Sequence, residues 1–406
     1  MTTSRPVRVL YCEQNVDGTI GGSYFSLLYL VSGLDKSRFE PIVVFYREHS
    51  LLPAFRAAGA RVLVWDKAPV FTFARHLPRG FGWLKGPATV AQKGLNFFRS
   101  FVVAVYTRAR FLRQERIGIV HLNNSIVRNH DWMLAALLTK RRCLTHERGI
   151  NTVYPWMARV LGRRLDAVVC ISEAVRDNLR QRGVDFSNLV TIPNGLDPEV
   201  MLAHSTPAEL RCAWGVSPDS PLVVMVGNIK SWKGQDTLVR ALGGLRRRQP
   251  AIRCMFIGAT SPLDEDYERR LRELIRSQEL ESHVIFTGFQ EHVADFIAAA
   301  DIVVHASVLP EPFGRVLLEA MALRRPIVAS RAGGVTEIVA EGDTGLLFPP
   351  GDHEALSVAL RRLLDDRQEG ERMGLRGYER LMSRFHVSTN IASTHRVYER
   401  LLGEAD

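Results

Sequence analysis

Cysteine is scarce in this sequence. Five residues, Cys12, Cys143, Cys170, Cys212 and Cys254, are scattered over 406 positions with no CxxC pair and no metal-ligand spacing. That excludes a disulfide framework and reads as reduced thiols of a cytosolic protein. Long apolar runs are missing too. No stretch of about 18 uncharged apolar residues occurs, so no membrane-spanning helix is expected. The apolar segment Phe97–Tyr106 is broken by Arg99 and followed by Arg108, Arg110, Arg113 and Arg116. Such a segment can lie on a bilayer but cannot cross it. The opening residues, MTTSRPVRVLYCEQ, lack a charged stretch, a long apolar core and a small-residue cleavage site, so no secretory signal is expected. HExxH, His/Cys clusters and a strand-flanked Asp-x-Asp are absent, and no metal or cofactor is expected. Asp264-Glu265-Asp266 sits beside a helical pattern and reads as a helix-start charge run.

Acidic charge is short in one half only. The net charge is +10, yet residues 1–200 hold 28 Lys/Arg against 15 Asp/Glu, while the remainder holds 25 against 28. The whole basic excess lies in the first half. It suits an anionic membrane surface, an anionic small ligand or nucleic acid, or it is simply a solvated arginine-rich surface. No nucleic-acid module motif accompanies it, and no nucleic-acid partner is expected.

What is present is alternation. At 46% hydrophobic and 24% charged, 406 residues suffice for two ordinary globular cores. Short β-rich runs recur at Val7–Cys12, Pro41–Tyr46, Arg61–Trp65, Ile119–Asn123, Arg142–His146, Ala167–Ile171 and Leu189–Ile192. Helical patterns such as Ser23–Leu34 and Leu51–Ala58 fall between them, and 66–98 reads as an irregular loop and helix insertion. A turn signal at Pro193-Asn194-Gly195, followed by Asp197-Pro198, marks a boundary. The alternation then restarts at Leu222–Val226, Ile252–Ile257, Val284–Thr287, Ile302–His305, Pro326–Ala329 and Gly345–Phe348, with helical patterns such as Tyr267–Gln278 and a last one at Ser388–Leu402. Strands alternating with amphipathic helices predict two α/β units with mainly parallel, doubly wound sheets.

The strongest chemical signal is Glu311-Pro-Phe-Gly-Arg-Val-Leu-Leu-Glu319-Ala-Met-Ala322, directly after a strand. Pro312 favours an extended residue before it and can start a helix. Phe313 and Gly314 are then expected to open that helix, with free backbone N–H groups at its positive end, a site suited to phosphate or sugar oxygens. Glu319 is expected two turns inside, buried, with vicinal hydroxyls as a fitting partner. By spacing alone, Glu311 as a helix cap and Glu319 as a structural acid with a basic partner read equally well. Gly21 and Gly22 sit between the first strand and helix, where glycine lets a backbone approach a phosphate or makes a plain tight turn. The loop is not GxGxxG, so a dinucleotide is a poor fit.

These residues together resemble the retaining glycosyltransferases of family 4. The context EPFGxxxxEAMA carries the likeness. Gly21-Gly22-Ser23, Thr145-His146-Glu147, Ile171-Ser172-Glu173-Ala174, Ile192–Asp197, Val226-Gly227 with Lys233-Gly234, Gly333–Val339 and Gly345–Phe348 follow in the family's order. The resemblance covers most of the chain. It implies an α/β GT-B fold, two Rossmann-like doubly wound domains facing each other across a cleft. The N-terminal, acceptor-binding domain would span 1–200 and the nucleotide-sugar-binding domain 201–387. A C-terminal helix, 388–406, would be able to pack back on the first domain.

The same resemblance implies roles. Glu319 binds the nucleotide ribose, Glu311 contacts the transferred sugar, and the amides of Phe313 and Gly314 face the sugar or its phosphate. Lys233 contacts the diphosphate, where a cation offsets charge growing on the leaving group. Gly22 lies near the donor. His146 positions the sugar, and Glu147 and Arg148 are acceptor contacts. Gly333-Gly334 let the backbone approach the donor, whereas Thr336 and Glu337 read equally as ordinary first-turn residues. The family carries an arginine directly after the glycine of its phosphate loop; this sequence has Asn228, which lacks the bidentate cationic fork. Lys230, two residues on, is the candidate substitute. The expected function is transfer of a hexosyl unit from a nucleoside diphosphate sugar to an acceptor hydroxyl, in polysaccharide, lipopolysaccharide or glycolipid synthesis. The acceptor is a sugar, glycan or lipid-linked molecule. The expected place is the cytoplasm, with peripheral contact at an anionic inner membrane face. A sugar-nucleotide epimerase of the same fold and a catalytically weak sugar-nucleotide-binding subunit are the alternatives.

Overall fold

A computed structural model of the chain describes residues 5–14, 21–66, 71–73 and 84–404. Residues 18–20 of the glycine turn, and 67–70 and 74–83 of the irregular segment, lie outside the described residues. The chain divides into two compact units, one drawn from 1–171, 176–192 and 391–406, the other from 172–175 and 193–390.

The first unit is built on β1 (Val7–Cys12), β2 (Phe39–Phe45), β3 (Arg61–Val64), β4 (Ile119–Leu122), β5 (Arg142–Glu147), β6 (Ala167–Cys170) and β7 (Leu189–Thr191). They form one parallel sheet in the order β3-β2-β1-β4-β5-β6-β7. Central β1 sets Val9 opposite both Pro41 and Ile119. Between the strands run α1 (Gly22–Ser32), α2 (Leu52–Ala57), α3 (Lys85–Phe97), α4 (Val103–Gln114), α5 (His130–Leu138), α6 (Trp156–Gly162) and α7 (Glu173–Gln181). A π-helical turn, Phe98–Val102, joins α3 to α4, so 85–114 is one continuous helical rod.

The second unit repeats the plan. It continues with α8 (Pro207–Ala213), β8 (Leu222–Val226), α9 (Gln235–Leu245), β9 (Arg253–Ile257), α10 (Glu265–Ser277), β10 (Val284–Gly288), α11 (Val293–Ala299) and β11 (Ile302–His305). After these come α12 (Arg315–Ala322), β12 (Ile327–Ser330), α13 (Val335–Ile338), β13 (Leu346–Phe348), α14 (His353–Asp365) and α15 (Arg367–Arg380), and the last helix, α16 (Val387–Leu402), returns to the first unit from residue 391. Its sheet is also parallel, ordered β10-β9-β8-β11-β12-β13.

Parallel strands are covered on both faces and therefore read as unbroken apolar runs. β6, AVVC, and β11, IVVH, are buried at every position. All strands expected from the sequence are present, each within two residues of its expected ends. The core of the first unit contains Val397, Tyr398 and Leu401 of α16 beside Phe39, Val9 and Tyr11. Arg38 pairs with Glu399 at 2.5 Å and Glu404 at 2.7 Å on the rim of that contact. No helix of the described residues is long and apolar enough to cross a membrane.

Candidate functional site

In the second unit, chemistry collects at the carboxyl ends of β8 and β11, the edge where open α/β sheets bind ligands. The loop after β8 runs through a 3-10 turn, Ser231–Lys233, to Gly234, which has φ +76° and leads into α9. A Cβ on Gly234 would stand 2.1 Å from the Ala306 carbonyl oxygen. Only glycine permits this approach. The Val308 amide donates to the Trp232 carbonyl at 2.8 Å and fixes the two loops together. The result delivers Lys233 to Glu311: its Nζ lies 2.9 and 3.0 Å from the two carboxylate oxygens. The Trp232 ring lies 4.3 Å from the same ammonium.

Glu311 has two further donors. Ser307 Oγ donates to Oε2 at 2.8 Å and His305 Nε2 at 3.0 Å. His305 Nδ1, on the far side of the ring, is buried with no partner among the described residues. Burial pushes the Glu311 carboxyl upward, but the hydrogen bond and charge of His305, and Lys233, outweigh it, holding Glu311 well below the usual carboxylate range. The backbone is pinned as well. The Gly334 amide donates to the Glu311 carbonyl at 2.8 Å. Gly333, at φ +63°, comes so close that a Cβ would stand 2.2 Å from that oxygen. This glycine pair serves the seating of Glu311 by its own chain.

Three expectations about the adjoining helix need correction. α12 begins at Arg315, and Gly314 precedes it as the cap in left-handed conformation, φ +101°. Phe313 is buried with its ring edge-on to Phe385 at 6.1 Å. A left-handed residue cannot continue a right-handed helix, so the helix starts two residues late and Glu319 stands one turn inside, not two. Nor is Glu319 sealed off: its side chain keeps 19% of its exposure, and Arg315 one turn earlier lies 3.6 Å from its carboxylate.

Asn228 is exposed, and its carbonyl accepts from Gln235 Nε2 at 3.0 Å. Lys230 points its ammonium toward Asp264, 4.0 Å away. Asp264 caps α10, with Glu265 and Asp266 in the first turn.

In the first unit, His146 and Glu147 end β5 and both are buried. His146 Nδ1 is 2.6 Å from His121 Nε2, the His121 Nδ1 is 2.5 Å from Tyr398 Oη, and Tyr398 donates to Tyr11 Oη at 3.0 Å. With Tyr398 donating onward, His121 Nδ1–H donates to Tyr398, and His146 Nδ1–H donates to His121 Nε2. His146 Nε2 is then the unprotonated nitrogen of a neutral ring. Burial drives both histidines away from the charged form, His121 down to about 3 and His146 well below the usual range, with the Arg148 charge adding to it.

Glu147 faces inward. It accepts from Ser125 Oγ at 2.7 Å, the Ile126 amide at 3.0 Å and Asn151 Nδ2 at 2.6 Å. Burial outweighs these neutral donors and pushes its carboxyl up to about 7. An acceptor contact through this side chain is therefore corrected to an internal brace of the loop after β4. Arg148 donates to the Asn123 carbonyl at 2.9 Å and side-chain oxygen at 2.7 Å. Buried Glu13, just past β1, accepts from Asn123 and Asn124. Gly21 caps α1 and Gly22 begins it. A Cβ on Gly21 would meet nothing within 4 Å, so no neighbour of the chain accounts for that glycine.

Sequence reasoning missed His121, Tyr398, Glu13, Asn123, His305 and Ser307. The signal was available for two of them: His121 and His305 are lone polar residues inside apolar strands, IVHL and IVVH. Among the described residues, no group of three or more His, Cys, Asp or Glu is placed to hold a metal ion.

Comparison with known proteins adds the following. The profile described as "Glycosyltransferase Family 4" matches residues 20–200, and that described as "Glycosyl transferases group 1" matches 208–380. Alpha-D-kanosaminyltransferase of Streptomyces kanamyceticus is 32% identical over 233 residues, 56% of this chain and 58% of that protein. D-inositol 3-phosphate glycosyltransferase of Kineococcus radiotolerans is 32% identical over 262 residues, 60% of each. The chain thus spans about three fifths of the length of these curated relatives. Among solved structures, Anabaena HepE in complex with UDP superposes with a TM-score of 0.80 at 23% identity, covering 97% of this chain and all of that one. A glycosyltransferase from Rickettsia africae gives 0.82 at 19% identity, covering 99% and 100%. At such identities the likeness fixes the fold, which is GT-B.

Proposed function

The chain belongs to the group 1 glycosyltransferases of family 4, and from that premise we propose that it is a retaining hexosyltransferase using a nucleoside diphosphate sugar. The observation that carries the reading is the Lys233–Glu311 pair, braced by His305 and Ser307 one loop ahead of α12. A cation and a carboxylate held at a sheet's carboxyl edge, beside a helix start, match what a diphospho-sugar presents: an anionic leaving group and a ring of hydroxyls. HepE was solved with UDP, and the Kineococcus relative is named a D-inositol 3-phosphate glycosyltransferase; a nucleotide-sugar donor is carried to this chain by that likeness.

In this reading Lys233 counters the diphosphate and Glu311 holds sugar hydroxyls. Glu319 binds the ribose, and the amides of Phe313 and Gly314 face the sugar phosphate. Gly22 approaches the same donor from its own loop, and Asn228 and Lys230 line the diphosphate. His146 offers its unprotonated Nε2 to a sugar hydroxyl. Arg148 stays the acceptor-side contact. As the C1–O bond to the diphosphate breaks, the acceptor oxygen bonds C1 on the same face. Its proton passes to the departing phosphate oxygen, so no separate base is required. No metal is invoked, because the ammonium supplies the charge. The setting proposed is polysaccharide, lipopolysaccharide or glycolipid synthesis at the cytoplasmic face of a membrane.

The test is a thermal-shift screen of nucleoside diphosphate sugars, followed by product analysis with and without acceptor. A ligand that binds only the folded state raises the melting point. Stabilisation by a diphospho-sugar, lost in Glu319→Gln, with sugar transferred only when acceptor is present, is the expected result. Isomerised donor without acceptor would establish an epimerase. Binding without turnover would establish a non-catalytic subunit, the outcome that Asn228 and a Lys230 turned to Asp264 favour. No shift with any such donor would overturn the reading.

A further inference from the structure

The first unit holds a cavity of about 1000 Å³, at the upper end for small-molecule sites. Gln14 after β1, Trp65 and Asp66 after β3, and residues 127–131 after β4 line it. It therefore opens at the carboxyl edge of the first sheet, the edge that also carries His146. Its remaining wall is the π-turn and α4, from Arg99 to Gln114. π-Turns inside helices concentrate at functional sites.

The wall has two characters. One side is aromatic and rigid. Trp65 stacks on Trp132 at 5.2 Å and meets Phe111 edge-on at 5.1 Å. The other side is basic: Arg99, Arg108, Arg110 and Arg128 face two acids, Asp66 and Asp131. Arg108 is committed, 2.7 Å from Asp131 and lying over both tryptophans. Arg110 and Arg128 have no ion pair among the described residues, so their charge is left for a ligand.

An apolar strip leads out of the cavity. Phe101 lines it and stacks on Phe97 at 5.3 Å. Phe97 is 54% exposed and Phe98 58% exposed, and neither α3 nor the π-turn buries a single residue. Leu95, Val102 and Val103 on the same rod are exposed as well, so the phenylalanines belong to a run of exposed apolar side chains.

We propose that this cavity binds one amphiphilic molecule, a phosphate-bearing head held by Arg110 and Arg128 and an apolar chain laid from Phe101 along Phe97 and Phe98. The charge sign selects the anion, the strip selects the chain, and a concave volume of about 1000 Å³ suits a single molecule better than a bilayer or a nucleic acid. That this molecule is the acceptor, a lipid-linked phosphate or sugar phosphate, rests on the transferase reading; that the cavity takes a phosphorylated amphiphile does not.

The experiment titrates the full chain, without donor, with monomeric farnesyl phosphate, farnesol and inorganic phosphate, following Trp65 fluorescence and calorimetry. Vesicles of phosphatidylglycerol or phosphatidylcholine form a separate arm. Expected is saturable 1:1 binding of farnesyl phosphate, about ten-fold or more tighter than farnesol, with no binding of phosphate alone. Arg110→Glu with Arg128→Glu should weaken it about ten-fold or more, and Val103→Trp, which fills the cavity from an exposed wall position, should abolish it. Donor-induced thermal shifts should persist in both variants, which shows that they fold. Equal affinity for farnesol and farnesyl phosphate, absence of saturable binding, or binding confined to the vesicles would overturn the proposal. If farnesyl phosphate binds while no donor does, the cavity stands and the transferase reading falls; the reverse result removes the cavity alone.

Discussion

Each unit holds a glutamate at the carboxyl edge of a parallel sheet, Glu147 fully buried and Glu311 largely so, and the two carboxyls are shifted in opposite directions. Glu311 and Glu147 each accept three or more hydrogen bonds. Around Glu311 an ammonium and an imidazole are among the donors, and the carboxyl is held down. Around Glu147 the donors are a hydroxyl, an amide and a carboxamide, and burial pushes the carboxyl up to about 7. The histidines follow suit: His305 lies against a carboxylate, whereas His121 and His146 lean on each other and on Tyr398. Hydrogen-bond number does not decide the protonation state of a buried acid. The charge of the donors does. One edge is thereby suited to gripping an anionic, hydroxyl-rich ligand and the other to orienting neutral groups.

The largest effect should come from removing the charge that sets the two edges apart. Lys233→Met leaves Glu311 buried with no ammonium, a change that costs about 3 kcal/mol when one partner of a buried pair is lost. It should also lower kcat/KM about 100-fold or more, because the leaving diphosphate loses its cation. Urea unfolding and steady-state kinetics read the two separately. Glu311→Gln added to Lys233→Met should recover most of the stability and none of the activity. Additive stability losses in the double variant would mean that the pair is not coupled.

The second prediction reverses the sign. Glu147 has its folded-state value raised, to about 7 from 4.5. Its contribution to stability is therefore fully present below pH 4.5 and is lost as pH rises through 7, an effect on the order of 3 kcal/mol. Glu147→Gln lacks this titration. Relative to wild type it should gain stability steadily from pH 4.5 to 8. Glu311, held low, and His121 and His146, also lowered, act the other way, losing stability on acidification, but they cancel in the difference between the two proteins. A pH-independent difference in urea midpoint would show that folding leaves the Glu147 titration unshifted.

Why did the sequence show the sheets and not this contrast? Every strand was legible because parallel strands buried on both faces spell short apolar runs such as VRVLYC and LVVMV. The candidate residues Glu311, Lys233 and His146 were legible through the family's spacing. Their partnerships were not. Lys233 reaches Glu311 across 78 positions because Gly234 lets two loops touch, and His121 reaches Tyr398 across 277. Neither contact leaves a periodic trace. The late start of α12 was missed for a local reason: glycine after proline and phenylalanine fits a first helical turn as well as a left-handed cap, and φ +101° at Gly314 selects the second.

The third prediction probes the neutral edge through its far end. Tyr398→Phe removes the oxygen between His121 and Tyr11, leaving a buried Nδ1–H without an acceptor. The expected loss is about 1–2 kcal/mol. His146 is also released from its tautomer, so the donor KM should rise a few-fold while kcat changes less. A variant as stable and as tightly binding as wild type would show that α16 does not hold the histidine pair. NMR of the imidazole nitrogens reads the tautomer directly.

The smallest expected effect sharpens the comparison by adding charge instead of removing it. Asn228 is exposed on the edge where cations matter, and its backbone carbonyl accepts from Gln235. Asn228→Arg would restore the bidentate fork for a diphosphate at a site with room for it. Donor affinity should improve about three-fold, a gain of less than 1 kcal/mol because an exposed arginine is screened and must be ordered. In the same background Lys230→Ala should become nearly silent, whereas in wild type it should weaken donor binding. The analogous charge placed on the neutral edge, at Asn151 beside Glu147, should leave donor affinity unchanged and instead lower the Glu147 titration. If Asn228→Arg weakens the donor, the loop carries its diphosphate on backbone amides and Lys233 alone, and the second edge relies on one cation.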